Sequence, residues 1–267
     1  MRYDWKEAIS YRQFSKEFYL EVDRRFFEPA KLFAPWRRVP FDCLIDFDAL
    51  KAKDVLEIGV GSGSHAQLLA THCKAFTGID LTDFAVESTS ERMRCFQLKA
   101  RILRMDAEQM EFEDNSFDFI WTWGVIHHSS NTRRILEEMH RVLKPEGEAI
   151  VMVYHRGLWN YYFVGALLSL VKGGIFNGRP LHEIIQEFTD GAIARYYSIS
   201  EWRDLVADLF VVRSIQVLGQ KTDLVPLPGG TLKNAILRLI PNGLSRFMTN
   251  TCGMGSFLVA KMTKLKL

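Results

Sequence analysis

Between residues 54 and 65 the chain sets a carboxylate, Glu57, two residues ahead of three alternating glycines, Gly59, Gly61 and Gly63. Glycines at that spacing remove the Cβ from alternate positions of a turn, so the backbone can bend sharply and a ligand can lie against it. Two more acids follow. Asp80 ends the run Ala75-Phe76-Thr77-Gly78-Ile79, and Asp106 follows Arg104-Met105. A ribose lying over the glycine turn offers its hydroxyls to a neighbouring strand tip, where an ionised Asp80 can accept from both. Asp106 can accept from the exocyclic amine of adenine, with Met105 and Ala107 packed on the ring face.

The spacing decides which nucleotide fits. A dinucleotide fingerprint G-x-G-x-x-G needs its third small residue at position 64, which is Ser64, whereas the chain reads G-x-G-x-G. A dinucleotide pyrophosphate is an anion that gains nothing from Glu57. The methionine end of S-adenosylmethionine carries an ammonium and a sulfonium, both suited to a nearby acid.

These residues need elements that bring them to one edge. Short apolar runs over Val55–Ile58, Ala75–Asp80, Ala100–Asp106, Phe117–Trp123 and Glu148–Tyr154 read as strands. Ser64–His72, Phe84–Met93 and Asn131–Leu143 between them read as helices. Alternation of this kind predicts a parallel α/β sheet with ligands at the carboxyl ends of its strands, where every acid named above would sit. Residues 1–50 are aromatic-rich and helical in flavour, including Trp5, Tyr11, Phe14, Phe18 and Phe26, with breaks expected at Pro29, Pro35 and Pro40.

Taken together, the segments V-L-E-I-G-V-G-S-G (55–63), G-I-D (78–80), D-A (106–107), F-D-F-I (117–120), W-G-V-I-H-H (123–128) and R-V-L-K-P-E-G (141–147) resemble class I S-adenosylmethionine-dependent methyltransferases. The match covers about residues 53–155 and is closest to the small-molecule branch that includes quinone and sterol methylating enzymes. The resemblance implies a Rossmann-like seven-stranded sheet whose last strand is antiparallel, with Val211–Leu218 and Gly255–Met262 as the remaining strands. It implies cofactor contacts from Glu57, Gly59, Gly61, Gly63, Asp80, Leu81, Asp106, Ala107, Trp123 and Gly124. The expected layout is one domain: an N-terminal helical extension (1–50), a cofactor-binding core (53–155), a helical cap insertion (156–200) and a completing segment (201–267).

Methyl transfer from a sulfonium is an in-line displacement that needs alignment and dryness, plus a base only where the acceptor must lose a proton. His127 and His128 are the candidates for that base, since an unperturbed imidazole titrates near 6.5, and a structural role for the pair is an equal alternative. Tyr154, His155, Trp159 and Tyr162 are candidate acceptor contacts. No third ligand at metal spacing accompanies the histidines, so no metal is expected.

Composition limits the partners. A formal net charge of +2 over 267 residues argues against a nucleic-acid binder. Four dispersed cysteines and a charged N-terminus suggest free thiols in the cytoplasm. The longest apolar stretch, Tyr161 to Val171, falls short of the about 20 residues a membrane helix requires. Residues 221–267 hold seven Lys or Arg against Asp223 alone, which leaves peripheral membrane contact open. The reading is methyl transfer from S-adenosylmethionine to a small, partly apolar molecule, its accepting atom and the oligomeric state unassigned. The alternatives are an NAD-dependent oxidoreductase or epimerase and a non-catalytic S-adenosylmethionine-binding protein.

Overall fold

The computed structural model describes residues 9–171, 180–187, 193–227 and 229–265; Trp5 and parts of the expected cap lie outside them. The strands are β1 (Asp54–Ile58), β2 (Ala75–Asp80), β3 (Arg101–Arg104), β4 (Phe117–Trp123), β5 (Leu143–His155), β6 (Tyr196–Tyr197), β7 (Phe210–Leu218) and β8 (Phe257–Lys264). They form one sheet in the order β3-β2-β1-β4-β5-β8-β7, with β6 attached to the end of β5. β1 to β5 are parallel, and β8 runs antiparallel to both its neighbours, as the resemblance implied.

Side chains alternate across this sheet because a strand has a period of two. Leu56, Ile58, Ile120, Ala149, Val151 and Val153 enter the core on one face, under α5 (Thr132–Val142) and α8 (Ile199–Val206). Val55, Phe119, Trp121, Ile150 and Met152 enter the other, under α1 (Lys16–Phe33), α3 (Ser64–His72) and α4 (Asp83–Cys95). Both faces are covered, which explains why the strands read as near-continuous apolar runs. α2 (Phe47–Leu50) buries Phe47 and Leu50 beside α1's partners.

Two local readings change. α1 runs through Pro29, which sits near its C-terminal end with an exposed side chain, where the missing N–H costs a single bond. β5 begins at Leu143, so Lys-Pro-Glu-Gly lies within an irregular strand, with a register shift opposite Phe117/Phe119. α8 is started by Ser198 as its N-cap, with Glu201 closing a capping box through the Ser198 backbone N–H (2.9 Å). Between β7 and β8, Pro241 separates two helices, α9 (Thr231–Leu239) and α10 (Asn242–Arg246). Two further helices, α6 (Val164–Val171) and α7 (Leu181–Gln186), lie in the insertion, preceded by a wide π-turn over Leu158–Phe163.

Candidate active site

All three glycines of the turn are left-handed: Gly59, Gly61 and Gly63 have φ of 81°, 53° and 80°. Their reasons differ. A Cβ on Gly59 would stand 2.2 Å from Val125, a packing constraint between this turn and the loop after β4, whereas nothing lies within 4 Å of a Cβ on Gly61. That open side faces a cavity of about 330 Å³, walled by Val22, Arg25 and Phe26 of α1, by Gly59 to Ser62, and by Ser64, His65 and Trp123.

Glu57 is buried on the same sheet face as Trp121, with its Oε1 3.8 Å from His65 Nδ1 and its Oε2 without a hydrogen-bond partner among the described residues. Burial, then the nearby charge of Asp80, raises its carboxyl well above the usual carboxylate range. His65 is pushed down to about 3 by burial and by Arg92. Burial thus disfavours the charged form of both groups. An orphaned buried carboxyl beside a bare glycine turn is a suitable seat for a cationic ligand end.

Asp80, at the tip of β2, accepts from the Gly61 N–H (3.2 Å) through one oxygen and from the Thr82 N–H and hydroxyl (3.0 and 2.9 Å) through the other. Leu81 beside it is 62% exposed. Asp106 is exposed and accepts from the Glu108 N–H (2.8 Å), while Ala107 and Met105 pack on the core. Trp123 stacks on Trp121 and borders the cavity, and Gly124 turns the chain at φ 75°.

The loop after β4 carries the histidines to different environments. His127 is fully buried with both ring nitrogens unpartnered among the described residues, and burial followed by His128 lowers it to about 2. It is a poor base there. His128 is partly exposed, and its Nδ1 donates to the Ile193 carbonyl (2.7 Å), which in the neutral ring leaves the Nε2 lone pair available. Tyr154 meets His127 at 4.0 Å between ring centroids and stacks on Tyr196 at 5.2 Å. His155 points to the opposite side, with Nδ1 on the Gly255 carbonyl (2.9 Å). Trp159 donates its indole N–H to the Asp223 carbonyl (2.9 Å) and stacks on Phe163, and Tyr162 is 46% exposed. The structure thus gathers His127, His128 and Tyr154, and holds His155 and Trp159 apart from them.

Phe26 and Tyr196 stand out in the sequence as aromatics able to border a pocket, whereas Val22 and Arg25 of α1 do not. The α1 contacts carry no local signal because they are made far from the glycine motif in sequence. Tyr196 enters through β6, which pairs with Tyr154 and His155 on the β4 side of β5, past the tip of β4.

The two buried histidines predict an acid-sensitive fold. Their folded pKa values lie below 6.5, so their contribution is complete above that pH and is lost as pH falls towards about 3 and about 2. Melting temperature should fall from pH 7 to pH 5, and His127→Phe should show a shallower dependence than the parent chain.

Comparison with known proteins places the chain in a family. Residues 56–151, the span from β1 into β5, match the family model described as a methyltransferase domain. The chain is 30% identical over 165 residues to the ubiquinone/menaquinone biosynthesis C-methyltransferase UbiE of Geotalea uraniireducens, covering 57% of this chain and 68% of that protein. It is 31% identical over 114 residues to phosphoethanolamine N-methyltransferase 2 of Caenorhabditis elegans, but covers only 26% of that longer protein and 41% of itself. A SAM-dependent methyltransferase structure from Aquifex aeolicus shares the fold, with a TM-score of 0.54, 16% identity, and coverage of 92% of this chain and 98% of that one. The chain belongs to the class I S-adenosylmethionine-dependent methyltransferases.

Proposed function

We propose that the chain methylates a small, partly apolar acceptor held between the loop after β4 and the returning end of the insertion, with residues 156–200 acting as a cap. The observation that carries this reading is the seam between the two. The Arg195 N–H donates to the His127 carbonyl (2.9 Å), His128 donates to Ile193, and Arg195 Nη2 donates to the Ser130 carbonyl (2.7 Å). This seam sets the rings of Tyr154, Tyr161 and Tyr196 beside the histidines, past the tip of β4. Such a wall suits an apolar or aromatic molecule better than a charged polymer.

In this reading Glu57 faces the cationic methionine end, Asp80 the ribose hydroxyls and Asp106 the adenine amine. Gly59, Gly61, Gly63, Leu81, Ala107, Trp123 and Gly124 supply backbone approach and apolar contact. When bound, the cofactor supplies an electrophilic methyl group on a good leaving group. The chain then has to orient the acceptor and exclude water. His128, with Nδ1–H spent on Ile193, can take a proton at Nε2 from an acceptor that needs deprotonation. Buried His127 holds the loop and the Tyr154 ring. The accepting atom is left open, since the relatives named above include a C- and an N-methyltransferase.

Label from methyl-tritiated S-adenosylmethionine, incubated with cell extract, should enter an organic-extractable small-molecule fraction; label in protein or nucleic acid would overturn the proposal. A Tyr154→Ala/Tyr196→Ala variant should raise the acceptor KM by about tenfold, the loss of two ring contacts of about 0.5–1.5 kcal/mol each. Its S-adenosylhomocysteine affinity should stay within a few fold. Equal loss of both would move the acceptor site elsewhere.

A further inference from the structure

The segment joining β7 to β8 is not needed to close the sheet, yet it carries an amphipathic helix turned outward. None of the residues of α9 is buried; Leu232 and Leu239 are 66% and 82% exposed, one face of the helix with Ala235 and Ile236 between them. α10 and the turn after it add Leu244 at 49% and Phe247 at 55%. The π-turn of the insertion continues this surface. Trp159 is bonded to Asp223, and Leu158 (84% exposed) and Phe163 (51%) border one cleft together with Cys252 and Met254.

Within this segment the exposed charge has one sign. Between residues 221 and 251 stand Lys221, Lys233, Arg238 and Arg246 against Asp223. Asp223 is turned inward, accepting from the Ser256 hydroxyl (2.8 Å) and from the Gln220 and Ser256 N–H groups. Arg238 and Arg246 are exposed and make no ion pair among the described residues.

We infer that this face docks the enzyme on an anionic lipid bilayer. Exposed leucines and a phenylalanine ringed by cations are what an interfacial helix offers to headgroups and the acyl boundary. A second copy of the chain fits worse, because a two-fold interface would set the same cations opposite each other without acids to match them. Topology adds a consequence. β7 runs parallel to β5 through their shared antiparallel partner β8, so the segment leaving Leu218 emerges at the same sheet edge as the glycine turn and the β4 loop. Asn250 also donates to the Phe33 carbonyl (2.8 Å) at the end of α1, the helix that walls the cavity. Docking therefore brings the crevice edge to the membrane. The inference does not depend on the acceptor proposed above.

Flotation of the full chain with vesicles tests it. The protein should float with phosphatidylcholine vesicles containing phosphatidylglycerol and remain behind with phosphatidylcholine alone. Leu232→Asp/Leu239→Asp should weaken anionic-vesicle binding by at least about tenfold, and Arg238→Gln/Arg246→Gln should abolish the preference for anionic lipid. Both variants should keep the parent melting temperature and S-adenosylhomocysteine affinity. Absence of flotation by the parent chain, equal flotation with both vesicles, or folded variants that float as well as the parent would overturn it. A dimer by light scattering that Leu232→Asp/Leu239→Asp converts to monomer would assign the face to self-association and overturn it likewise.

Discussion

Asp80→Asn is expected to raise the dissociation constant for S-adenosylhomocysteine by at least tenfold, and Asp80→Ala by on the order of 10²–10⁴. The range follows from two hydrogen bonds to an ionised carboxylate at about 1.5–3 kcal/mol each. The carboxylate already accepts from Gly61 and from Thr82, so it holds the glycine turn to the tip of β2 before any ligand arrives. The two substitutions separate these duties. Asn keeps the shape but only one of the two accepting oxygens and no charge, so it should lose part of the tether along with affinity, with a smaller fall in melting temperature than Ala. Ala removes the whole tether, and some of its larger loss is loop order. Calorimetry on both variants checks this, and an unchanged constant for Asp80→Ala would place the ribose elsewhere.

Local chemistry made the core legible. Strands buried on both faces, a turn that only glycines at 59 and 63 can follow, and acids at strand tips are all written within a few residues of where they act. Methyltransferase membership followed from these segments in combination. What escaped reading depends on long-range packing. His127 and His128 are adjacent in sequence, yet one is sealed under Tyr154 and the other opens to the Ile193 carbonyl, a division set by a chain segment more than 60 residues away. Tyr196 was legible as an aromatic but not as a two-residue strand, because its pairing partner is the end of β5 rather than anything nearby. Pro29 shows the opposite limit, a strong local breaker overridden by the burial of Ala30 and Phe33 against the core.

Arg92→Met should cost the fold about 3–5 kcal/mol, or roughly 10 °C in melting temperature, the largest stability loss expected from any single surface or core polar change near the site. The side chain is fully buried on α4 and joins three elements. Its Nη2 donates to Asp23 of α1, its Nε to Gln67 of α3 (2.8 Å), and its Nη1 to the Ser62 carbonyl of the glycine turn (2.9 Å), with the guanidinium over the Tyr19 ring. Removing the cation leaves Asp23, whose other oxygen already lacks a partner among the described residues, as an uncompensated buried charge. Arg92→Lys keeps the charge but not the planar fork, so it should recover only part of the loss. The double change Asp23→Leu/Arg92→Met decides what the pair is for. A buried pair replaced as a whole by apolar groups is often close to neutral in stability, so the double variant should melt well above Arg92→Met alone. Its S-adenosylhomocysteine affinity should nonetheless stay below that of the parent chain, because the Ser62 carbonyl has lost its donor and the turn its anchor. Full recovery of both stability and affinity would show that Arg92 fastens α1 without shaping the cofactor site.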